Sequence, residues 1–419
     1  MLFAALDIGS TFIKSAVLDT SRIRIYGFEQ IATPHNTASR PTRCEIDGEA
    51  LFAAVERTLL QLLDRQPDVK GILLCTQMHG YILTDKRFHP VTPYVTWQDR
   101  ASTEPGTDGI STLERLQEAI PPSMMDAAGV PLKANLAMCS LLARGRIPEG
   151  ALLCTVGGYL LGRLSGEHVC HLQNAAPTGM TDVARGVWQT QLIHCAGLDG
   201  LVFPRIINNL EPCGTYTCQN SAFPLYPDLG DQQTCVLGAL VRPGRDLNIN
   251  IGTAGLISCI TQRFERGPYE TRPYFENRYL KTISGLSGGR RIDALATRIA
   301  NEMGCEKCEV WPIMTGATSN ARWRQDILNT YVDIGREYRQ AGRRIGDSFD
   351  RIAFSGGCAG RNPTLRAAIL RETGIPGASC SPGADSMLGM LQLALIVCGQ
   401  AKDIDEAQQL IESRYGKDE

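Results

Sequence analysis

The chain has 419 residues, 43% apolar and 21% charged, with 42 Lys and Arg against 44 Asp and Glu for a net charge of −2. That length is too great for one ordinary core and fits two domains, and no basic excess exists to neutralise a phosphate backbone, which argues against a nucleic-acid partner. The opening MLFAALDIGSTFIKSAVLD has no basic n-region or long apolar run, and no stretch of about 18 uninterrupted apolar residues occurs. Neither a signal peptide nor a membrane span is expected, and the expected location is the cytoplasm.

The first forty residues alternate like strands. Phe3 to Asp7 rises to a Gly-Ser-Thr turn, Phe12 to Leu18 returns, and Arg22 to Thr33 follows, with connections short enough for an antiparallel meander. Asp47 then caps a helix whose apolar residues Leu51, Phe52, Val55, Leu59, Leu62 and Leu63 recur at helical spacing. A buried strand from Lys70 to Thr76 ends in Gln77-Met78-His79-Gly80. Trp97-Gln98-Asp99-Arg100 follows a second strand-like run, and Gln173-Asn174 lies in HLQNAAPTG, where a simple turn is the plain alternative. Gly230-Asp231-Gln232-Gln233 leads into the apolar TCVLGAL, so Asp231 reads as a helix N-cap.

The opening then recurs. Asp246 to Asn250 is a strand, Gly252-Thr253 a turn and Leu256 to Thr261 a second strand, so that Asp7-Ile-Gly-Ser-Thr11 and Asn250-Ile-Gly-Thr-Ala254 match in kind and spacing. Two copies of one motif predict a duplicated α/β architecture with a cleft between two domains, 1–243 and 244–419. The segment Val241 to Arg245 marks the boundary. A Gly-rich turn from Ser284 to Gly289, a helix from about Arg291 and a long helix near Arg324 to Ile345 follow. The strand Arg351 to Phe354 runs into Ser355-Gly356-Gly357, with helices near Thr364 and Met387 beyond. Strand, glycine turn and helix in that order are a common nucleotide-binding arrangement.

No Walker A sequence is present. The two Gly-Thr hairpins offer another way to hold a triphosphate: the backbone N–H groups and hydroxyls of Gly9, Ser10, Thr11, Gly252 and Thr253, with Gly288 of the Gly-rich turn counted beside them. Asp7 is a candidate for Mg²⁺ held through water, and Lys14 on the returning strand can offset phosphate charge. Either hairpin alone reads first as a plain turn, as most such strings are, and the paired occurrence raises the functional reading. A carboxylate at a helix start, Asp231, is well placed to take a hydroxyl proton and stands with Asp7 as a metal candidate. Gln77, Met78, His79, Trp97, Gln98, Asp99, Asn174 and Gln232 supply the donors, acceptors and indole face that suit a sugar. Each taken singly reads as a structural or solvated residue. The fifteen cysteines fall mostly in apolar segments, such as Cys75 in GILLCTQ and Cys259 in LISCIT, as reduced buried thiols do. Cys305 and Cys308 form a CxxC, but Cys213 and Cys218 are wrongly spaced for a second ligand pair, so two solvated loop thiols are expected.

Together these stretches resemble the FGGY carbohydrate kinases. LDIGSTFIK and NINIGTAG are similar to the two phosphate motifs of that family, and LGDQQTCVLGAL to its catalytic segment. SGGCAGRNPTL and GADSMLGMLQLAL are similar to its adenosine and closing motifs, and all five stand in the family's order across nearly the whole chain. The resemblance implies two actin-like (ribonuclease H-like) domains with an interdomain catalytic cleft. It implies Mg·ATP-dependent phosphorylation of a sugar or polyol hydroxyl, Asp231 as base, and nucleoside contacts from Gly356, Gly357 and Asn362. QMHG followed by a WxD element points to ketose kinases. YVTWQDR, HLQNAAPTGMTDVARGVW and RPYFENRYLKTISGLSGG are nearest to sedoheptulokinases, with xylulokinase-like and other ketose or polyol kinases as the alternative. The chain is shorter than usual for the family, with a compressed region at about 305–343. VWPIMTGATSNARW holds the place of a Pro-x-x-x-Gly-Glu-Arg-x-Pro segment without matching it closely. A catalytically silent sugar and ATP sensor, or an ATPase of the actin or heat-shock type, are the readings of other classes. The partners implied are a small sugar and ATP, and a homodimer is allowed for.

Overall fold

The computed structural model describes residues 1–145, 147–318, 320–346, 348–378 and 385–415. The chain divides into two compact units. The first comprises Met1–Thr234, Arg272–Asn277 and Ser386–Glu419, and the second Cys235–Thr271 and Arg278–Asp385. The division is therefore not a single cut between 243 and 244: a short central segment and the C-terminal helices pack with the first unit.

In the first unit, β1 (Leu2–Ile8) is buried from Phe3 to Ile8 because it lies inside a six-stranded sheet covered on both faces. A turn joins it to β2 (Phe12–Asp19), and β3 (Arg24–Ala32) completes the expected meander at the sheet edge. That edge strand carries Arg24 and Glu29 and is largely exposed, which discourages pairing with another chain. Asp47 accepts a hydrogen bond from Ala50 N at the start of α1 (Gly48–Arg65), which buries Leu51, Val55, Leu59 and Leu62. On the other side of β1 come β4 (Val69–Thr76), then β6 (Ser221–Gly230), then β5 (Gly214–Cys218) at the far edge. The helix α2 (Val156–Ser165) packs over this half, and Asp231 opens α3 (Asp231–Gly238) directly after β6.

Register decides what these strands present. β1, β4 and β6 run parallel, and Thr76 at the end of β4 is paired with Ile8 on one side and Gly230 on the other. Three strands thus stop level with one another. The Gly9 turn, the Gln77-Met78-His79 segment and Asp231 leave the sheet at the same edge, the carboxyl end of parallel strands where α/β folds take ligands.

The second unit is built on β7 (Asp246–Ile251), β8 (Gly255–Thr261), β10 (Tyr279–Leu286) and β11 (Arg351–Ser355), with the first two residues of β9 (Glu270–Pro273) at the sheet edge, in the order β9-β10-β8-β7-β11. Its helices include α4 (Gly289–Met303), α5 (Ala321–Ile345), the short α6 (Gly357–Arg361) and α7 (Pro363–Thr373). Leu247, Ile249, Ile292, Ile299, Tyr338 and Phe354 share its core. The C-terminal helices are α8 (Asp385–Val397) and α9 (Ile404–Tyr415). The first residues of the closing motif, Gly383 and Ala384, lie outside the described residues. Cys75 and Cys259 are buried as expected, but Cys308 is an exposed thiol on the helix Lys307–Thr315 rather than in a loop. Among the described residues no helix is long and apolar enough to cross a membrane.

Candidate active site

The strand-end edge of the first unit gathers the charged candidates. Lys14 is the cross-strand partner of Asp7, and its Nζ donates to Asp7 Oδ2 at 3.0 Å. Ser386, on the first turn of α8, donates to the same oxygen at 2.7 Å. The Asp7 carboxylate is buried and Lys14 is partly open to solvent. Gly9, Ser10 and Thr11 form the turn, with Ser10 and Thr11 exposed at its tip and Gly9 N bonded to Phe12 O at 3.0 Å.

Asp231 begins α3, and its Oδ1 accepts from Gln232 N at 2.8 Å. Burial, and then the charge of Asp7, push its carboxyl up to about 6, against the opposing pull of the Gln232 N–H, Arg272 and Lys14. Arg272 reaches this place through the segment 272–277. Its Nη1 donates to Gln232 Oε1, and Gln233 Nε2 donates to Pro273 O at 3.0 Å, so the two residues after Asp231 tie that segment to the first turn of α3.

Behind the edge lies a buried polar network centred on Asp228 of β6. Its carboxylate accepts from His171 N at 2.7 Å, Asn174 Nδ2 at 2.9 Å and Thr155 Oγ1 at 3.1 Å, and Asn174 also donates to Thr76 Oγ1 at 3.1 Å. Burial raises the Asp228 carboxyl to about 7 and lowers the His171 imidazole to about 4. Gln77 and Met78 are buried, and His79 takes a left-handed φ of 70°, unusual outside glycine and often found at working sites. Several buried polar atoms here have no hydrogen-bond partner among the described residues: both amide atoms of Gln77, the Tyr94 hydroxyl, Asn174 Oδ1, Gln173 Nε2 and Gln233 Oε1. Such groups carry a desolvation cost until a ligand or water meets them.

Not every sequence candidate stands ready for a ligand. Asp99 is wholly buried, and both of its oxygens are occupied: Oδ1 by Ala101 N and Ser140 Oγ, Oδ2 by Cys44 N at 3.1 Å and Arg144 Nη2 at 2.6 Å. It is a structural hub, and a sugar hydroxyl would have to displace one of these partners. Trp97 and Gln98 are half-buried, with Gln98 Oε1 accepting from Cys44 Sγ at 3.6 Å.

In the second unit the equivalent hairpin has Gly252, Thr253 and Ala254 at its turn, with Thr253 exposed and Gly252 N bonded to Ala254 O at 3.1 Å. Gly288 caps α4, and Gly289 N and Arg290 N donate to Gly252 O and Thr253 O at 2.8 and 3.1 Å, locking the two turns together. Gly356 has φ 86°, and a Cβ there would fall 2.7 Å from Ile251 O, so only glycine fits at the end of β11. Its N–H donates to Asp385 Oδ2 at 2.9 Å, and Gly357 opens α6. Asn362, an expected nucleoside contact, has its side chain engaged within the second unit. Its Oδ1 caps α7 by accepting from Leu365 N at 3.0 Å, and its Nδ2 donates to Tyr331 OH at 2.7 Å, so the buried side chain serves the helix.

Arg272, Ser386, Tyr94, Asp228 and His171 were not singled out in the sequence. Asp228 alone gave a local signal, a lone carboxylate in the apolar strand LYPDLG; the others are brought in over long sequence separations.

Two α/β units, each with a sheet that carries a glycine hairpin, define a protein of the actin-like ATPase fold. A family model described as "FGGY family of carbohydrate kinases, N-terminal domain" matches residues 2–238, and the chain belongs to that family. It is 24% identical over 270 residues to the xylulose kinase of Staphylococcus xylosus, covering 61% of this chain and 54% of that protein. It is 26% identical over 311 residues to a glycerol kinase of Cereibacter sphaeroides, covering 70% and 59%. The chain therefore spans little more than half the length of these curated relatives. Among solved structures, the ligand-bound xylulose kinase from Lactobacillus acidophilus superposes with a TM-score of 0.82 at 15% identity, over 97% of this chain and 91% of that one. Plasmodium falciparum glycerol kinase with ADP gives 0.82 at 15% identity, over 98% and 92%. At such identities these likenesses speak to the fold.

Proposed function

We propose that this protein is an ATP-dependent kinase that transfers the γ-phosphate of Mg·ATP to a hydroxyl of a ketose or related polyol. The observation that carries the reading is Asp231: a carboxylate at the first residue of a helix, at the level end of three parallel strands, with its carboxyl raised to about 6 and Asp7, Lys14 and Arg272 around it. A base in that range is ionised at neutral pH yet holds a proton better than an ordinary aspartate. Asp231 orients the attacking hydroxyl and accepts its proton at a carboxylate oxygen as the new phosphate ester bond forms. Mg·ATP, when bound, supplies the phosphoryl group and part of the counter-charge. Asp7 and Asp231 are the residues that would hold the hydrated ion. Two carboxylates, with no larger cluster of metal-ligating side chains among the described residues, suit a cation that draws most ligands from water and phosphate. In the first unit Lys14 is the residue to offset phosphate charge; in the second, the glycine turns at 252–253, 288 and 356–357 are the backbone candidates for a nucleotide. The expected place of this chemistry is the cytoplasm.

Sedoheptulose comes first among substrates because YVTWQDR and RPYFENRYL are similar to sedoheptulokinase segments. Xylulose and simple polyols stand next, since curated relatives are named xylulose kinase and glycerol kinase. A coupled ADP-release assay across C5 to C7 ketoses and polyols tests the reading, with Asp231→Asn alongside. The variant is expected to fold and bind ATP and sugar while kcat falls about a hundred- to ten-thousandfold. Substantial activity in the variant removes Asp231 from the mechanism, and a wild type that turns over no member of the panel favours a sugar-binding sensor.

A further inference from the structure

The ring of Tyr94 belongs to the core of the first unit, in one cluster with Ile8, Ile46 and Leu74. Its hydroxyl does not follow that logic. The residue is fully buried, yet its OH has no hydrogen-bond partner among the described residues. A buried tyrosine normally satisfies its hydroxyl, and phenylalanine would fill the same core without the desolvation cost. The hydroxyl lies against the backbone of Gly80: a Cβ on that glycine would fall 2.6 Å from Tyr94 OH and 2.6 Å from Tyr94 Cε2. Gly80 closes the Gln77-Met78-His79 segment at the end of β4. The short strand Tyr94–Val95 is held there by reciprocal bonds between Tyr81 and Val95, at 3.0 and 2.8 Å. On the same segment Gln77 is 3% exposed, and neither its amide oxygen nor its amide nitrogen is bonded among the described residues. The negative charge of Asp231 is felt at the Tyr94 hydroxyl, adding to the effect of burial in holding its proton on. The hydroxyl therefore stands as a donor within electrostatic reach of the proposed base.

We propose that Tyr94 is a substrate-binding residue, its hydroxyl donating to one hydroxyl of the polyol at the Gln77–Gly80 segment and so helping to select which sugar is phosphorylated. The proposal rests on the sugar-kinase reading. It assigns the unpartnered phenol a ligand whose chemistry, a row of hydroxyls each able to donate and accept, matches the unpartnered Gln77 amide of that segment.

The test is Tyr94→Phe, which keeps the ring over Gly80 and removes only the oxygen. Wild type and variant are compared on the best substrate of the panel and on its single-deoxy analogues. We expect kcat/KM to fall about three- to tenfold for the full substrate, the effect of one lost hydrogen bond. One deoxy analogue should be penalised by the wild type and not by the variant, while KM for ATP stays unchanged and Tm holds or rises. A variant with raised Tm but wild-type kinetics on every analogue makes the phenol a purely structural misfit and overturns the proposal. A wild type that turns over no sugar fails the kinase reading. Calorimetric binding of the same polyols to both proteins then decides Tyr94 by itself, and absent or equal binding overturns it.

Discussion

The two hairpins that open the two units share a backbone and part ways in chemistry. Each turns in three residues, Gly9-Ser10-Thr11 and Gly252-Thr253-Ala254, with the last two exposed and the glycine half-buried. At matching positions two residues before the glycine stand Asp7 and Asn250, and their cross-strand partners are Lys14 and Leu256. The first hairpin thus holds an ion pair beside Asp231. In the second, Asn250 Nδ2 donates to Ser355 Oγ at 3.0 Å, and Asn248 Nδ2 donates to the same oxygen at 3.2 Å, a neutral amide ladder that fixes β11 and the Gly356 turn after it. One turn geometry serves two purposes: with a carboxylate it makes a charged site, and with an amide it makes a rigid backbone cradle.

Exchanging these side chains separates the two roles. Asp7→Asn gives the first hairpin the second's residue, and turnover should fall about a hundredfold or more, because charge placed for the transition state is lost. The melting temperature should change little, since Lys14 can turn to solvent. Asn250→Asp should do the reverse, lowering Tm through a carboxylate that no cation meets, with kcat of the folded fraction less affected. Equal loss of activity in both variants, measured by steady-state kinetics and calorimetry, breaks the comparison.

The pH dependence sharpens it. Activity needs Asp231 ionised, so kcat/KM should rise with pH through about 6 on the acid side. Asp7 raises the Asp231 carboxyl and Arg272 lowers it, so the acid limb should move to lower pH in residual Asp7→Asn activity and to higher pH in Arg272→Met. Stability runs the other way. The native state holds the Asp231 proton more tightly than the unfolded chain, so this group's contribution is full below the unfolded value of 3.8 and is lost as pH rises through about 6. A pH–rate profile and a pH–Tm series on the same variants check both signs.

The smallest effect is expected at Asn362. Asn362→Ala removes an N-cap and should cost about 1 kcal/mol of stability, with KM for ATP nearly unchanged. A large rise in KM for ATP would falsify the assignment of this side chain to the helix.

Asn362 and Asp99 also mark where the sequence stops being informative. The meander, α1, both glycine hairpins and the helix opening at Asp231 were legible because each is set by short-range pattern: alternation, helical spacing, caps and turn residues. Asp99 reads as a ligand from its type and neighbourhood, and Asn362 from the family resemblance. What decides their role is which partners already occupy them, and Tyr331, which accepts from Asn362, and Arg144 and Cys44, which donate to Asp99, come from distant parts of the chain. The same reason hid Arg272 and Tyr94. Their local sequences are unremarkable, and their positions relative to Asp231 exist only in the folded unit.

The ties around Asp231 and Asp7 also set an order of events during synthesis. The six strands of the first sheet are all translated by residue 230, and that sheet can assemble early. Arg272 is bonded to a residue 40 positions before it, and Ser386 to one 379 positions before it. Closing the longer of these loops is a late and entropically costly step. A ribosome-bound chain that has only just emerged beyond α3 therefore carries Asp231 without its guanidinium neighbour and Asp7 without its hydroxyl donor. The final electrostatic setting of the site arrives only with the last helices, so an incomplete chain has its charged groups in place but not yet tuned.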